Sequence, residues 1–270
     1  DTFGHAYSEQ QPFDSTWHHI ALVQSDGART FYVDGVADAL EIPDKPEGDW
    51  LVNNTSIGGI LRAAASHWVT GLIDDVAIWN RALTESELGE LSSSALGDLL
   101  GGQEADPVAE GLVAHWPLDV IQGTKTPDKV NGYDMELTNL SESDVVAGKV
   151  GNAFSFSNER QTLLSRVHEA DEDLPANKHE SHTISMWVNV EGEGQNDLRV
   201  FSEGNTSNSN PLFNIGTHNG GSDGTVDFYI RQSGWSTFGH AHSGQTAFDG
   251  TWHHVVWVQE TDGSRMLYVD

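Results

Sequence analysis

The chain has 270 residues, of which 37% are hydrophobic, and its nine Trp and ten Phe supply enough apolar side chain for a packed core, which excludes an intrinsically disordered protein. It carries 41 Asp and Glu against 13 Lys and Arg, and the formal charge of −28 repels nucleic acid and anionic lipid, so neither is expected as a partner. No apolar run of roughly 18 residues is present, so no membrane insertion is expected, and the lack of cysteine does not exclude export because a core of this size is stable without disulfides.

The first predicted element is a β-hairpin. Residues 17–24 and 28–34 alternate apolar and polar side chains on either side of Asp26-Gly27, a dipeptide typical of tight hairpin turns. The next strand is predicted over Gly71–Asn80, with the sequence GLIDDVAIWN.

One helix is predicted, over Thr84–Leu100. Thr84 is placed to cap its amino terminus while Glu87 reaches back, which is the pattern of a capping box. Residues 101–110, GGQEADPVAE, then lack any periodicity and are interpreted as a linker.

The remainder of the chain consists of short predicted strands separated by turns rich in Gly, Asn and Ser. These strands span 111–119, 153–157, 182–190, 198–203, 211–217, 225–232 and 251–261. Many short alternating strands with one short helix predict an all-β fold, an antiparallel sandwich or jelly roll.

The two ends of the chain carry closely similar sequences. Residues 2–34 and 237–270 are identical at 21 positions once a single insertion at Thr261 is allowed for. Chance does not produce such agreement, so the chain contains an internal repeat with a period of 235 residues before that insertion. We interpret the chain as a window on a longer tandem array; a proteolytic fragment or a permuted subunit is the alternative.

Several motifs stand in a definite order along the chain. They are the hairpin WHHIALVQSDGARTFYVDG, then SIGG with GLIDDVAIWNRALTESEL, then GLVAHWPLD, PDKVNGYDMELTN and GKVGNAFSFSN, and finally HTISMWVNV. Together they resemble the laminin G-like domains of the concanavalin A-like lectin/glucanase family. The resemblance implies a concanavalin A-like antiparallel jelly-roll sandwich.

The order of these motifs differs from that of the family, because the closing motifs come first and the opening motifs second. The resemblance therefore implies that residues 1–100 are the C-terminal half of one repeat, that 101–110 link them to the rest, and that 111–270 are the N-terminal part of the next repeat. In the family fold the first and last strands lie side by side, so residues 111–119 should pair with a strand like GLIDDVAIW. We expect that partner in a neighbouring repeat; the alternative is Gly71–Asn80 of the same chain, folded back as a permuted domain.

A carboxylate on an apolar strand face suggests a metal site. Simple alternation places Asp74 on one face with Leu72, Val76 and Ile78, which is costly unless the charge is paired or bound to a metal. The resemblance extends this expectation to a calcium site formed by Asp74, Asp119, Asp128 and Asn131, whose oxygen atoms suit Ca²⁺. The alternative is that Asp74 accepts backbone hydrogen bonds in a turn.

Other chemistry has little support in the sequence. The adjacent pair His253-His254, like its copy His18-His19, points to opposite faces of a strand and does not chelate one zinc ion easily. No Glu-x-Asp-x-x-Glu pattern of a concanavalin-like glycosidase is present, so no catalytic residues are predicted and the protein is not expected to be an enzyme.

Four aromatic side chains in predicted loop regions could stack on sugars. They are Trp50, Trp235, Phe238 and His240. Ordinary packing at the rim of a sandwich is the alternative interpretation.

These observations lead to one functional expectation and one alternative. The expected function is a non-catalytic repeat module of a large secreted or cell-surface protein, which contacts neighbouring copies of itself and forms an extracellular adhesive stalk or filament. The alternative is a calcium-dependent carbohydrate-binding, lectin-like module of a secreted multidomain protein, with glycans as partners.

Overall fold

The computed structural model describes residues 52–100, 107–169, 172–209, 212–220, 223–231, 237–261 and 265–270, together with the backbone alone of three strands between residues 20 and 37. The side chains of residues 177 and 237–239 lie outside this description.

The fold is built from strands, with two helices between the fifth and sixth of them. In chain order the elements are β1 (Ile20–Ser25), β2 (Ala28–Val33), β3 (Val36–Ala37), β4 (Asn54–Ile57), β5 (Gly71–Trp79), α1 (Glu85–Ser93), α2 (Leu96–Leu100), β6 (Leu112–Trp116), β7 (Lys125–Thr126), β8 (Met135–Thr138), β9 (Val145–Ala147), β10 (Asn152–Phe156), β11 (Leu163–Val167), β12 (His182–Glu191), β13 (Arg199–Gly204), β14 (Leu212–Thr217), β15 (Thr225–Arg231), β16 (Thr237–Thr246), β17 (Asp249–Gln259) and β18 (Arg265–Val269).

The strands form two large antiparallel sheets and one small sheet. The seven-stranded sheet has the order β18-β17-β12-β5-β10-β9, with β6 also paired to β5, and the eight-stranded sheet has the order β16-β15-β14-β13-β4-β11-β8-β7. Strands β1, β2 and β3 form the separate three-stranded sheet. The predicted all-β, concanavalin A-like sandwich is confirmed.

The main core lies between the two large sheets. Along β15, Val226, Phe228 and Ile230 are buried in this core. The Phe228 ring stacks on that of Trp257 from the opposite sheet at a centroid distance of 3.5 Å. Each such side chain contributes roughly 1.5–3 kcal/mol by leaving water, so the alternating apolar positions of the strands account for the stability of the sandwich.

A bulge in β5 changes the face assignment expected from alternation. Asp75 has a φ of 51°, and the pairing of β5 with β12 shifts register at this point. Because the bulge adds one residue, Ile73 joins Val76 and Ile78 in the core between the sheets. The expectation that Leu72 and Asp74 share the face of Val76 and Ile78 was therefore wrong.

The helices cover the outer face of the seven-stranded sheet. The capping box of Thr84 and Glu87 is confirmed, and Leu83 and Leu88 are buried against Trp79. The single helix predicted over 84–100 is instead two, since Ser94 is extended and the hydroxyls of the serines before it bond back to the α1 carbonyls. No helix among the described residues is long and apolar enough to cross a membrane.

Part of the predicted linker also packs against this face. Residues 107–109 form a short 3-10 turn, and Val108 is fully buried beside the helices. Its carbonyl accepts a 2.7 Å hydrogen bond from the indole Nε1 of Trp79. Of the linker 101–110, the first six residues lie outside the described part of the chain.

The two segments assigned to different repeats pair with each other in this structure. Val76 of β5 lies opposite Trp116 of β6, and Ile57 of β4 lies opposite both Phe201 of β13 and Leu164 of β11. We preferred a partner strand in a neighbouring repeat, but in this structure the partner strand belongs to the same chain. This is the alternative, permuted arrangement. The assignment of 1–100 and 111–270 to successive repeats stays a prediction.

The duplicated hairpin keeps the same strand register in both copies. Ile20 lies opposite Val33 in β1 and β2, and the equivalent Val255 lies opposite Val269 in β17 and β18. The second copy is hydrogen-bonded to β12, whereas the first belongs to the three-stranded sheet. One sandwich has a single position for this hairpin, so only one copy can be part of it.

Candidate functional site

Asp74 lies on the outer face of the seven-stranded sheet and binds a turn. Its Oδ2 accepts backbone N–H bonds of 2.8 Å from both Lys149 and Val150. Its Oδ1 is buried and has no hydrogen-bond partner among the described residues. Burial raises the pKa of Asp74 to about 7, and the nearby negative charges of Asp75 and Asp119 act in the same direction against the two backbone donors. The alternative to a metal site, in which Asp74 accepts backbone hydrogen bonds in a turn, is therefore present in the structure.

Asp119 holds the same turn from the other side. Its Oδ1 accepts a 2.7 Å bond from the backbone N–H of Asn152, whose side-chain Nδ2 donates to the Asp119 carbonyl. At Gly151, which has a φ of 61°, an added Cβ would lie 2.5 Å from the Asp119 carboxylate. Only glycine fits at this position. Through these hydrogen bonds, Asp74 and Asp119 both bind the turn formed by residues 148–152.

Asp128 and Asn131 belong to a different turn. The two Asp128 carboxylate oxygens accept four backbone N–H groups, those of His115, Val130, Asn131 and Tyr133. Asn131 Nδ2 donates to the Val113 carbonyl, which fastens this turn to β6. Asp128 is thus occupied as a turn acceptor, and among the described residues the carboxylates of Asp74, Asp119 and Asp128 do not converge on one point. Calcium binding by these residues stays a prediction.

Of the four residues predicted to bind sugars, the structure describes the side chain of His240. Trp50, Trp235 and the Phe238 side chain lie outside the described residues. His240 lines a cleft with a volume of about 180 Å³ on the outward face of the eight-stranded sheet. Its other lining residues are Ile60, Arg62, His67, Asp197, Arg199, Leu212, Asn214, Tyr229 and Arg231.

The cleft concentrates positive charge in an otherwise acidic protein. Three of the chain's 13 basic residues, Arg62, Arg199 and Arg231, line it. Arg199 is ion-paired to Asp227 at 2.7 Å and to Asp197. Burial lowers the pKa of Arg62, and the positive charges of Arg231 and Arg199 act in the same direction while Asp197 opposes them. Three guanidinium groups facing two carboxylates leave a surplus of positive charge.

Four residues of the cleft have a buried side-chain atom without a hydrogen-bond partner among the described residues: His67 at Nδ1, Arg199 and Arg231 at Nε, and Asn214 at both polar atoms of its amide. The Asn214 side chain is fully buried, and neither Oδ1 nor Nδ2 has a hydrogen-bond partner among the described residues. Leaving a buried polar atom unpaired costs about 1–3 kcal/mol. Both atoms of this amide thus lack a partner although the residue lines the cleft.

A histidine cluster that was not predicted from the sequence lies at the edge of the cleft. His240 and His242, two residues apart on β16, both point at the fully buried carboxylate of Asp227 on β15. The signal was present as His-Ala-His, because side chains at positions i and i+2 share a strand face.

Comparison with known proteins relates the chain to a protein family. A family model described as the concanavalin A-like lectin/glucanases superfamily matches residues 3–89 and 166–270, which is more than half of the chain. No curated protein and no solved structure matches the chain significantly.

Proposed function

The chain belongs to the concanavalin A-like lectin/glucanase superfamily, and on that premise we propose that it is a non-catalytic, carbohydrate-binding repeat module of an extracellular protein. The observation that carries the proposal is the buried, unpaired amide of Asn214 in a polar cleft. Sugar hydroxyls donate and accept hydrogen bonds at once, so a sugar that reached both amide atoms would satisfy them. The volume of about 180 Å³ is below the roughly 300–1,000 Å³ of pockets for drug-sized ligands, which suits one sugar unit of a longer chain.

The charge of the cleft favours an acidic sugar. A guanidinium group binds a carboxylate or sulfate with two parallel hydrogen bonds, which an ammonium group does not do. Arg62 and Arg231 repel each other electrostatically, and an anion between them would relieve this repulsion. Tyr229 is held in place by stacking on His240 at 4.4 Å, so the cleft presents a preformed wall.

The arrangement of carboxylates supports a binding role over hydrolysis. A glycosidase needs one carboxyl group that gives up a proton and a second that acts as nucleophile or base. Asp197 and Asp227 are both ion-paired to the same Arg199. Although burial opposes this, the hydrogen bond from His67 and the charge of Arg199 hold the pKa of Asp197 below its ordinary value, so this carboxyl group is not suited to donate a proton.

Asn214→Leu separates a binding role of this residue from a structural one. Because leucine removes two unpaired polar atoms at similar volume, the variant should melt at the same or a higher temperature. Its binding to acidic oligosaccharides, measured on a glycan array and by calorimetry, should be lost. Arg231→Gln should weaken binding to acidic sugars more than to neutral ones. Arg265→Gln, on the other sheet, is the matched control and should bind like the wild type. An Asn214→Leu protein that binds normally would contradict the proposal.

The role in an adhesive stalk or filament is the second candidate, favoured by the internal duplication of residues 2–34 and 237–270. In this view, successive copies of the module follow one another along an extracellular chain and contact their neighbours. The family places such a module outside the cell more often than inside it.

The repeat assignment predicts that the natural-order unit folds. A recombinant chain with residues 111–270 followed directly by 35–100 joins Asp270 to Gly35 and restores the Tyr-Val-Asp-Gly sequence of the first hairpin. We expect it to form the β5–β6 and β4–β13 pairs, detected as protected amides in hydrogen exchange. Residues 111–270 alone lack both β4 and β5, so they should remain unfolded. A joined chain as unprotected as this shorter one would refute the assignment.

A further inference from the structure

The side chains of Asp227, His240 and His242 converge on the outward face of β15 and β16. In the strand register, Asp227 lies opposite His242, and Tyr229 lies opposite His240. His240 Nδ1 is 2.9 Å from each Asp227 carboxylate oxygen, and His242 Nε2 is 3.3 Å from Oδ1. One potential ligand atom from each residue lies within 4.8 Å of the other two.

Each of these side chains is held in place by a neighbour. Arg199 Nη1 donates to Asp227 Oδ2 at 2.7 Å and orients the carboxylate. The His240 ring stacks on Tyr229, and the His242 ring stacks on His218 at a centroid distance of 3.8 Å. Outer contacts of this kind fix the orientation of metal ligands and raise affinity, because less freedom is lost when the ion binds.

We propose that Asp227, His240 and His242 form a binding site for a transition-metal ion of the zinc class. Two imidazole nitrogens and one carboxylate oxygen are a donor set that suits Zn²⁺, whereas Ca²⁺ prefers oxygen alone. Metal bonds of about 2.0–2.1 Å place tetrahedral ligands roughly 3.3 Å apart. The observed separations from Asp227 are already close to that, so the ion would need little rearrangement.

A fourth donor stands next to the three. Asn219 Oδ1 lies 3.0 Å from His242 Nε2. A water molecule or this amide oxygen would complete a four-coordinate site. His240 also lines the cleft, so the ion would lie at the edge of the proposed sugar site, but metal binding does not depend on that function.

The two copies of the repeat differ at this cluster. The second copy reads Phe-Gly-His-Ala-His at 238–242, whereas the first reads Phe-Gly-His-Ala-Tyr at 3–7. The copy with Tyr7 lacks the second imidazole, so it supplies a natural substitution for a test. His242→Tyr is therefore the variant of choice, since this sequence already occurs at the equivalent position.

The experiment titrates metal-free protein with Zn²⁺ by calorimetry and with Co²⁺ by visible absorption, without sugar present. We expect one Zn²⁺ equivalent and a tetrahedral Co²⁺ spectrum that are both lost in His242→Tyr and in His240→Gln. Affinity should fall by at least roughly 100-fold, more than the 10–100-fold typical of losing an outer-shell partner. Ca²⁺ should not compete for the site.

His253→Gln is the matched control. Its two ring nitrogens face different carboxylates, Nε2 towards Asp249 and Nδ1 towards Asp270, so it does not converge with other ligands on one ion. This variant should keep the wild-type equivalent and the Co²⁺ spectrum. Unchanged binding in both His240→Gln and His242→Tyr, or loss of the spectrum in His253→Gln alone, would overturn the proposal, as would a wild type that binds no Zn²⁺. Melting of the metal-free variants verifies that each is folded.

Discussion

Replacing Arg199 with methionine is expected to lower the free energy of unfolding by about 3–5 kcal/mol. Arg199 is only 2% exposed, and its guanidinium is the cation paired to Asp227, which is 0% exposed. Methionine fills much of the same volume but leaves the Asp227 carboxylate in a dry environment without that charge. The two neighbouring imidazoles offset only part of the loss, because each is a weaker partner than a guanidinium. Urea denaturation followed by tryptophan fluorescence measures the change.

Two further variants separate charge burial from packing. Arg160→Met breaks the pair with Asp144, in which the arginine side chain is 46% exposed, so it should destabilise the protein far less than Arg199→Met does. The double variant Arg199→Met with Asp227→Leu replaces the whole buried pair by apolar groups and should recover most of the lost stability. If Arg199→Met lowers the free energy of unfolding no more than Arg160→Met does, the buried pair of Arg199 and Asp227 does not stabilise the fold as expected.

The sequence predicted most of the strands because each buries one face. Residues 182–190 and 225–232, for example, alternate apolar and polar side chains and became β12 and β15. The helix start was predictable for a different reason, since a capping box is entirely local. Shorter strands such as β4 and β8 were missed, because four residues carry too little periodicity and their pairing is decided by distant segments.

The bulge at Asp75 explains the error in β5. Alternation assumes an uninterrupted strand, and a single extra residue reverses the faces on one side of it. The Asp75 side chain turns toward His115 of β6, whose Nε2 lies 2.5 Å from its Oδ1. This contact joins two strands that are far apart in sequence, so no local sequence pattern predicts it.

The cleft was predictable only in part. In the strand TVDFYIR, Val226, Phe228 and Ile230 lie in the core. Because side chains alternate between the two faces, Asp227, Tyr229 and Arg231 lie on the outward face. Their neighbours Arg62, Arg199 and Asn214 join them through the order β15-β14-β13-β4 in the sheet, which depends on tertiary pairing. The predicted calcium set failed to converge for the same reason, since nearness in sequence placed Asp128 and Asn131 in a turn of their own.

Asp74→Asn is expected to stabilise the protein at pH 8 by an amount on the order of 4 kcal/mol, and by much less at pH 4. The pKa of Asp74 is about 7 in the folded chain against an ordinary value of 3.8. Between these values the folded state retains a proton that the unfolded state has released, so stability falls as the pH rises towards 7 and the penalty is complete above it. Asparagine does not titrate, and its Oδ1 can still accept the two backbone bonds at residues 149 and 150.

The difference in unfolding free energy between wild type and Asp74→Asn isolates this carboxyl group. Three histidines complicate either curve alone: burial lowers the pKa of His168 to about 3 and those of His182 and His254 to about 4, so their contributions raise stability as the pH rises. Urea titrations of both proteins at pH 4, 6 and 8 cancel these terms. A difference that does not change with pH would show that Asp74 is not buried as described.

Adding Ca²⁺ to the same titrations tests the metal prediction at this carboxyl group. An ion bound by Asp74 and Asp119 stabilises the ionised form, so at pH 8 it should restore stability to the wild type and leave Asp74→Asn unaffected. Asp119→Asn should lose the calcium effect while it keeps the pH dependence, because the buried Oδ1 of Asp74 is then still without a partner. Equal stabilisation of all three proteins by Ca²⁺ would place the ion elsewhere in the chain, and the raised pKa of Asp74 would then reflect burial alone.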